Sequence, residues 1–446
     1  MRVIIVGAGE VGYQLAKFLA HEELEVIVIE KDKSKIRRIG EELDIAVIEG
    51  EGGDPSALKE AEADKADMLL AVTNSDETNM IACLLAKAMF KIPRKVARIR
   101  NPDYFFNKAI LSKENLDIEP AINPELEVAK AVTRLLEIPF ATEVIDFEEG
   151  SIKVIGVKLT RDVPFIGKSL KSLGASMRKH LLVGIIQRGE KAIIPTGDDV
   201  VAEGDILYVP LRRERVADAA ETLSLSAKPV RKVMILGGGR TGYYIASAME
   251  HKADIKIIEK NADRCSYLSQ YLGKSLILHG DGTDQQLLAE ENIGDIEVFV
   301  AVTNNEELNI MASILAKKLG AKKSIAIVNK TDYIPLAHSL GLQAVLSPRL
   351  ITASTILRYI RRGEILSLTA VAEDRAEIIE ARVGPRSNLA GRLIKDARLP
   401  RSSLIGTIVR GDEIIIPSGT SQIIAGDKLI FFTLRESLKE IEHLLV

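Results

Sequence analysis

Short runs of aliphatic and β-branched residues alternate along the chain with segments in which apolar residues recur at helical spacing. In the first part of the chain the runs lie at residues 3–6, 25–29, 45–48, 68–72 and 96–99. Such runs are typical of parallel strands that are buried on both faces. Between them, residues 12–20 and 78–89 carry apolar positions three and four apart, which predicts helices. The alternation predicts right-handed βαβ units in a doubly wound parallel sheet, and hence an α/β fold.

This pattern occurs twice in the sequence. The segment Val3–Gly12 returns as Val233–Gly242, and Ala71-Val72-Thr73-Asn74 returns as Ala301-Val302-Thr303-Asn304. Order and spacing persist over about 130 residues, as expected of an internal duplication. The sequence therefore predicts two copies of the same large lobe.

A smaller unit follows each large one and is also repeated. Residues 193–197 (IIPTG) and Gly204-Asp205 return as residues 415–419 (IIPSG) and Gly426-Asp427. Residues 151–159, 182–187 and 191–194 read as strands, with Gly189-Glu190 in a hairpin turn, which predicts a compact α+β lobe. Pro139, Pro229 and Gly363 suggest the boundaries between these units, because proline disfavours a continuing helix and glycine is suited to ending one. The predicted domains are residues 1–138, 139–228, 229–362 and 363–446.

Glycines at the end of the first strand carry the clearest chemical signal. Gly7, Gly9 and Gly12 follow a predicted strand and open a predicted helix, as the dinucleotide-binding fingerprint of Rossmann-like sheets requires. The first glycine permits a tight turn, the second lets a pyrophosphate approach, and the third lets the helix pack against the sheet. The helix N-terminus offers free N–H groups to the phosphates. Gly237, Gly239 and Gly242 repeat the pattern.

An acidic residue follows each glycine loop at the end of the next strand. Glu30 lies 18 positions beyond Gly12, and Glu259 lies 17 beyond Gly242. A carboxylate there accepts hydrogen bonds from ribose hydroxyls and repels a 2′-phosphate, which favours NAD, NADH or an adenine nucleotide over NADP. The alternative is that each glutamate is only a solvated strand end.

Polar residues at the end of the fourth and fifth strands extend the candidate site. Thr73-Asn74 and Thr303-Asn304 lie on the carboxyl edge, where open α/β sheets bind ligands, although both could instead cap the helix that follows. Arg98 and Arg100 of the first half are replaced by Ile327 and Asn329 in the second. Guanidinium groups suit terminal phosphates. The hypothesis is that the first site prefers ATP and the second NAD or ADP, the alternative being that these arginines are solvated.

Composition narrows the function classes. A net charge of −3 over 446 residues gives no indication of nucleic-acid or anionic-membrane binding, and no apolar run approaches the ~20 residues of a membrane span. The two cysteines lack metal-ligand spacing, which predicts reduced thiols in a cytoplasmic protein without a metal site. No acid or base recurs in both halves beside the expected nicotinamide position, so we expect no catalytic residue. Two functions stay open on these observations: an NAD-dependent oxidoreductase that acts on a small metabolite, and a nucleotide-binding scaffold.

The start VIIVGAGEVG, the later AVTNSDETNM and the small lobe with IIPTGD and GD together resemble the TrkA-type regulators of Trk potassium uptake, which are built from tandem RCK (KTN) domains. The resemblance covers essentially the whole chain, because the large and small lobes occur twice in the expected order. It implies a non-enzymatic regulatory subunit that forms a homo-oligomeric ring, a tetramer, peripheral to the inner face of the cell membrane. The ring would dock beneath a TrkH/TrkG-type potassium transporter subunit without inserting into the membrane.

The resemblance also implies a set of nucleotide-binding residues. Regulatory NAD/NADH or ATP/ADP, or both, would bind there and gate the potassium pore. In the first half the residues are Gly7, Ala8, Gly9, Glu10, Val11, Glu30, Thr73, Asn74 and Arg98. In the second half they are Gly237, Gly238, Gly239, Arg240, Thr241, Glu259, Thr303 and Asn304.

Overall fold

The structure of the chain, a computed structural model, describes residues 1–20, 24–173, 181–330, 332–360, 364–372 and 375–445. These residues form two compact units, one from residues 1–130 and 234–360 and the other from residues 131–233 and 361–446. Each unit therefore combines equivalent parts of the two sequence repeats, the large lobes in the first unit and the small lobes in the second. The expected domain boundary at 362/363 falls outside the described residues.

The first large lobe is a six-stranded sheet in the order β3-β2-β1-β4-β5-β6, whose paired strands run parallel. Its strands are β1 (Arg2–Val6), β2 (Glu25–Glu30), β3 (Ala46–Glu49), β4 (Met68–Ala71), β5 (Arg94–Arg98) and β6 (Ala121–Ile122). Its helices are α1 (Glu10–Ala20), α2 (Lys33–Glu42), α3 (Pro55–Glu60), α4 (Asp76–Ala88), α5 (Pro102–Phe105), α6 (Lys108–Leu111) and α7 (Pro124–Glu137). The order reverses between β1 and β4, the place where such sheets bind ligands.

Local chemistry explains where these elements begin. Strand β1 is buried from Val3 to Val6, as the apolar run predicts. The side chains of Asp32 and Ser75 accept backbone N–H groups at the starts of α2 and α4, so each is an N-cap. Strand β5 begins two residues earlier than the apolar pattern indicates, because Lys95 is buried and paired with Asp117.

The second large lobe repeats this arrangement in the order β14-β13-β12-β15-β16-β17. Its strands are β12 (Lys232–Leu236), β13 (Asp254–Glu259), β14 (Leu276–His279), β15 (Val298–Ala301), β16 (Lys323–Ile327) and β17 (Ala344–Leu346). After the first small lobe's helix α8 (Val216–Thr222), its helices are α9 (Arg240–Met249), α10 (Ala262–Tyr271), α11 (Gln285–Glu290), α12 (Glu306–Lys318), α13 (Tyr333–Ser339) and α14 (Pro348–Ile360). Helix α14 packs against α1 of the first lobe, so the two large lobes share an interface.

Each small lobe contains a five-stranded sheet whose paired strands run antiparallel. The first has the order β10-β9-β11-β8-β7, with β7 (Glu143–Phe147), β8 (Ile152–Lys158), β9 (Ile185–Arg188), β10 (Lys191–Ile193) and β11 (Ile206–Arg212). The second has the order β18-β19-β22-β20-β21, with β18 (Ile365–Val371), β19 (Ala376–Arg382), β20 (Ser403–Arg410), β21 (Glu413–Ile415) and β22 (Lys428–Leu434), followed by α15 (Leu438–Leu445). The expected duplicated sheet with its small lobes is thus confirmed.

The repeated Gly-Asp motif of the small lobes has a structural role. Asp205 is 1% exposed and accepts two hydrogen bonds of 2.8 Å from the guanidinium of Arg188. Asp427 and Arg410 repeat the pair in the second lobe. Such a bidentate pair fixes the loop between two strands by charge-assisted hydrogen bonds.

Two carboxyl groups meet where the small lobes pack on each other. Glu148 accepts a hydrogen bond from Lys428 Nζ at 2.8 Å, and Glu380 accepts one from the Ser367 hydroxyl at 2.9 Å. Burial, together with the neighbouring Glu148 carboxyl, raises the pKa of Glu380 to about 7. This contact between the lobes therefore titrates near neutral pH.

Among the residues that the structure describes, no helix combines the length and the apolar character that a membrane span needs.

Candidate nucleotide-binding site

The first glycine loop has the backbone geometry that the fingerprint requires. Gly7 has a φ of +99°, and a Cβ there would lie 2.9 Å from Thr73 Cγ2. A Cβ on Gly12 would lie 1.9 Å from the Gly7 carbonyl oxygen, so helix α1 can approach the loop only with glycine at this position. A Cβ on Gly9 would meet no atom within 4 Å. The loop is therefore fixed at its ends and open at its centre.

The second loop repeats this geometry with one difference. Gly237 has a φ of +108°, a Cβ on Gly242 would lie 2.0 Å from the Gly237 carbonyl oxygen, and Gly239 faces open space. A Cβ on Gly238 would lie 2.4 Å from Leu268 Cδ1, whereas the first loop has Ala8 at this position. The second loop is thus more closely covered by helix α10. Arg240 and Thr241 begin helix α9 directly after it.

Glu30 is not a solvated strand end, because it is only 7% exposed. Its carboxylate accepts the backbone N–H of Ala8 at 2.6 Å and the N–H groups of Lys31 and Asp32 at 2.9 and 3.0 Å. Glu259 accepts the N–H of Gly238 at 2.7 Å in the same way. Each glutamate therefore holds its glycine loop from the end of the neighbouring strand, next to the loop residue that a ribose would approach.

Thr73 and Thr303 do not cap the following helices, since Ser75 and Asn305 do. Instead the Thr73 hydroxyl donates to Asn79 Oδ1 at 2.7 Å, and Asn79 Nδ2 donates to the carbonyls of Thr73 and Arg98. The side chain of Asn79 is fully buried. Asn309 makes the equivalent bonds in the second half. This asparagine joins the ends of two strands, and its identity in both repeats was the only sequence signal for it.

Arg98 and Arg100, which the sequence groups together, have different partners. Arg98 Nη1 donates to the Thr73 carbonyl at 3.1 Å and to Asn74 Oδ1 at 2.9 Å. Arg100 instead forms an ion pair with Glu125. Burial and then the nearby Arg100 cation lower the pKa of Arg98. Within the described part of the chain no carboxylate is ion-paired with Arg98, so its positive charge is available to an anion.

A cavity of about 600 Å³ lies between the first glycine loop and the second large lobe. Ala8, Gly9, Glu10, Val11, Asn74 and Arg98 line it from the first lobe, and Asn304 lines it from the second. Five cationic side chains face it, against three carboxylates. They are Lys35, Arg38, Arg98, Lys330 and Arg349, with Glu10, Glu306 and Glu307. A basic cavity at a helix N-terminus suits an anionic ligand.

The second lobe supplies two of these cations, and sequence reasoning missed both. Arg349 lies in the first turn of α14 and forms an ion pair with Glu10 of the first loop, with Nη1 2.5 Å from Oε2. Lys330 follows strand β16 and pairs with Glu306 and Glu307. No motif in the sequence links these residues to the first loop, because their approach depends on how the two large lobes pack. Asn304, predicted to belong to the second site, also lies on this wall.

Models of two domain families match the chain in the order in which the lobes occur. The TrkA-N domain matches residues 3–124 and 233–348, and the TrkA-C domain matches residues 154–224 and 378–446. The Trk system potassium uptake protein TrkA of Halomonas elongata is 38% identical over 408 residues, which is 90% of this chain and 88% of that protein. The chain belongs to the TrkA family. The TrkA protein of Azorhizobium caulinodans is 34% identical and covers 100% of this chain and 98% of its own length.

A solved structure, described as the GsuK channel bound to NAD, has the same fold as this TrkA-family chain. It matches with a TM-score of 0.61 at 18% identity and covers 100% of this chain and 78% of that channel. The resemblance noted in the sequence is therefore confirmed at the level of family and fold.

Proposed function

We propose that this chain is a nucleotide-sensing regulatory subunit of a Trk-type potassium uptake system, and not an enzyme. The observation that carries the proposal is the basic cavity at the first glycine loop, where Arg98 has hydrogen-bond partners but no carboxylate counterion among the described residues. Arg98 is half-buried, and a guanidinium that is partly removed from water without an ion-paired carboxylate is stabilised when an anion binds to it. A nucleotide phosphate would supply that anion.

The pyrophosphate and the ribose of a nucleotide would each have a matching group in the first site. The pyrophosphate would lie over Gly9, whose open face leaves room, and would accept N–H groups at the start of α1. The ribose hydroxyls would bind Glu30, which now accepts the Ala8 N–H. Because Glu30 would repel a 2′-phosphate, we propose NAD/NADH or ATP/ADP, or both, as the regulatory ligands.

The second loop would form a second, unequal site. Gly237, Gly239 and Glu259 repeat the fold of the first loop, but Ile327 replaces Arg98 and so removes the guanidinium. Arg264 Nε donates to the Gly238 carbonyl at 2.6 Å, which places a cation beside this loop. We propose that this site takes NAD or ADP, whereas the first takes ATP.

The partner in this proposal is a TrkH/TrkG-type membrane potassium transporter subunit. The chain would assemble into a homo-oligomeric ring, a tetramer, on the cytoplasmic side of that subunit. Ligands that prefer one conformation of the ring would shift the pore between closed and open states, because a ligand biases an equilibrium only by its differential affinity. A tenfold preference contributes about 1.4 kcal/mol per site, and coupled sites would add.

Calorimetry on the full chain tests whether the protein binds the proposed nucleotides. We expect ATP, ADP, NAD and NADH to bind without being consumed. We expect Arg98→Gln to weaken the binding of ATP more than the binding of NAD. Absence of binding by all four would overturn the proposal. Oxidation of NADH in a screen of small metabolites would support the oxidoreductase alternative. Potassium flux into vesicles that contain the transporter subunit, with and without this chain and ATP, tests the regulatory half.

A further inference from the structure

The first turn of α14, a helix of the second half, brings a charged residue to the glycine loop of the first half. Helix α14 begins Ser347-Pro348-Arg349, and Arg349 is ion-paired with Glu10 at the mouth of the first cavity. Its side chain is 20% exposed, so it is held at the cavity wall and is not free in solvent. Arg349 is thus placed to contact the part of a bound ligand that extends beyond the first glycine loop.

Helix α7 begins Asn123-Pro124-Glu125 and carries the opposite charge at the same position. Glu125 Oε1 accepts a hydrogen bond from Arg100 Nε at 2.7 Å. Its Oε2 atom is buried and forms no hydrogen bond with any residue that the structure describes. Burial raises the pKa of Tyr244 in helix α9; the Arg240 cation opposes this shift, and the Glu125 charge adds to it to a smaller degree. The two repeats therefore carry opposite charges at this helix position, an acid in α7 and a base in α14.

The other charged residues around the two glycine loops also make the first site more positive than the second. Five cations and three carboxylates line the first cavity. The residues that the repeat makes equivalent to these come from both halves of the chain and comprise three cations and three carboxylates, namely Arg100, Arg240, Arg264, Asp76, Glu77 and Glu125. The first site thus has two more positive charges than carboxylates, whereas the equivalent second set is balanced. Charge beyond the pyrophosphate is the feature that separates a nucleoside triphosphate from a dinucleotide.

We propose that Arg349, supplied by the second half of the chain, binds the terminal phosphate of a nucleoside triphosphate in the first site. This inference rests on the proposed nucleotide binding and names the residue that distinguishes its ligands. The terminal phosphate competes with Glu10 for the guanidinium and prevails, because it carries more charge and accepts the planar fork at two oxygens. Glu10, whose side chain is 46% exposed, turns to solvent. Triphosphate binding thereby replaces a contact between the two large lobes.

The test uses the full chain with Gly239→Asp, so that calorimetry reads only the first site, and EDTA, so that no divalent cation bridges carboxylate and phosphate. In this background we compare Arg349→Gln with Arg358→Gln, a control on the same helix that does not line the cavity. We expect Arg349→Gln to weaken ATP binding at least tenfold and NAD binding less than threefold. Arg358→Gln should leave both unchanged, and Glu10→Gln should strengthen ATP binding.

Two results would overturn the inference. Unchanged ATP binding by Arg349→Gln would show that the arginine does not touch the ligand. Equal weakening of ATP and NAD would show that Arg349 only holds the two lobes together. Thermal unfolding of each variant distinguishes both results from loss of the fold. If the parent itself binds neither ligand, the proposed function fails, and the inference fails with it.

Discussion

A negative charge at the open centre of the first glycine loop should strongly weaken nucleotide binding and leave the fold intact. The change is Gly9→Asp. A Cβ at Gly9 would meet no atom within 4 Å, and its φ does not lie in the left-handed region, so the side chain adds no strain to the ligand-free protein. An aspartate at a helix N-terminus also interacts favourably with the helix dipole. We therefore expect the midpoint of thermal unfolding to change little.

The magnitude of the binding loss follows from Coulomb's law. Two unit charges 4 Å apart repel each other by about 1 kcal/mol in water and about 4 kcal/mol at the effective dielectric of a protein surface. A pyrophosphate over Gly9 would sit at about this distance from the new carboxylate. The expected loss of affinity at the first site is thus roughly fivefold to a thousandfold, before any steric exclusion is added.

Two glycine variants serve as controls in calorimetry and thermal unfolding. Gly9→Ala adds volume without charge, so it should keep both the fold and most of the affinity. Gly12→Ala should instead destabilise the protein by about 1–3 kcal/mol, since its Cβ would lie 1.9 Å from the Gly7 carbonyl oxygen. Undiminished nucleotide binding at the first site by Gly9→Asp would refute the placement of phosphate over this loop.

Two further predictions concern the small lobes. Glu380 has a raised folded-state pKa of about 7, so the free energy of unfolding should fall as pH rises from about 4.5 to about 7 and then level off. Glu380→Gln should remove this fall and be about 1–2 kcal/mol more stable than the native chain at pH 8, which denaturant titration at several pH values checks; an unchanged pH profile would contradict it. Asp205→Ala removes the partner of Arg188 and should cost about 2 kcal/mol, whereas Asp198→Ala, whose side chain is 79% exposed, should cost little. Equal melting temperatures for the two variants would show that the Asp205 ion pair does not stabilise the loop.

The architecture of the large lobes was predictable because it depends on local signals. The apolar run Val3–Val6 is buried, and Gly7 adopts the positive φ that a tight turn after a strand requires. The start of β5 was predicted two residues late for the opposite reason. Lys95 reads as a solvent-facing residue, but it is 2% exposed because Asp117 neutralises it. Hydrophobic periodicity does not reveal a buried charge whose partner is distant in sequence.

The candidate site was predictable only where one lobe builds it. Glu30 and the glycine loop belong to adjacent strands of one sheet, so their spacing in the sequence reports their contact. Arg349 comes from the other half, and its ion pair with Glu10 spans 339 positions of the chain. Residue type and spacing cannot indicate such a pair, because it depends on the crossing of α14 over α1.

The structure also shows that the repeats depend on each other. The ring of Phe432 in the second small lobe packs so closely on the first that a Cβ on Gly184 would lie 2.4 Å from its Cδ1 atom. A Cβ on Gly406, the equivalent glycine of the second small lobe, would lie equally close, 2.2 Å from Cε2. One half alone would expose this ring, together with the apolar residues that the two sheets bury jointly. In the large lobes, the first site would likewise lose Arg349 and Lys330. The two halves therefore complete each other's cavity and core, and nucleotide affinities measured on an isolated half would describe a different site.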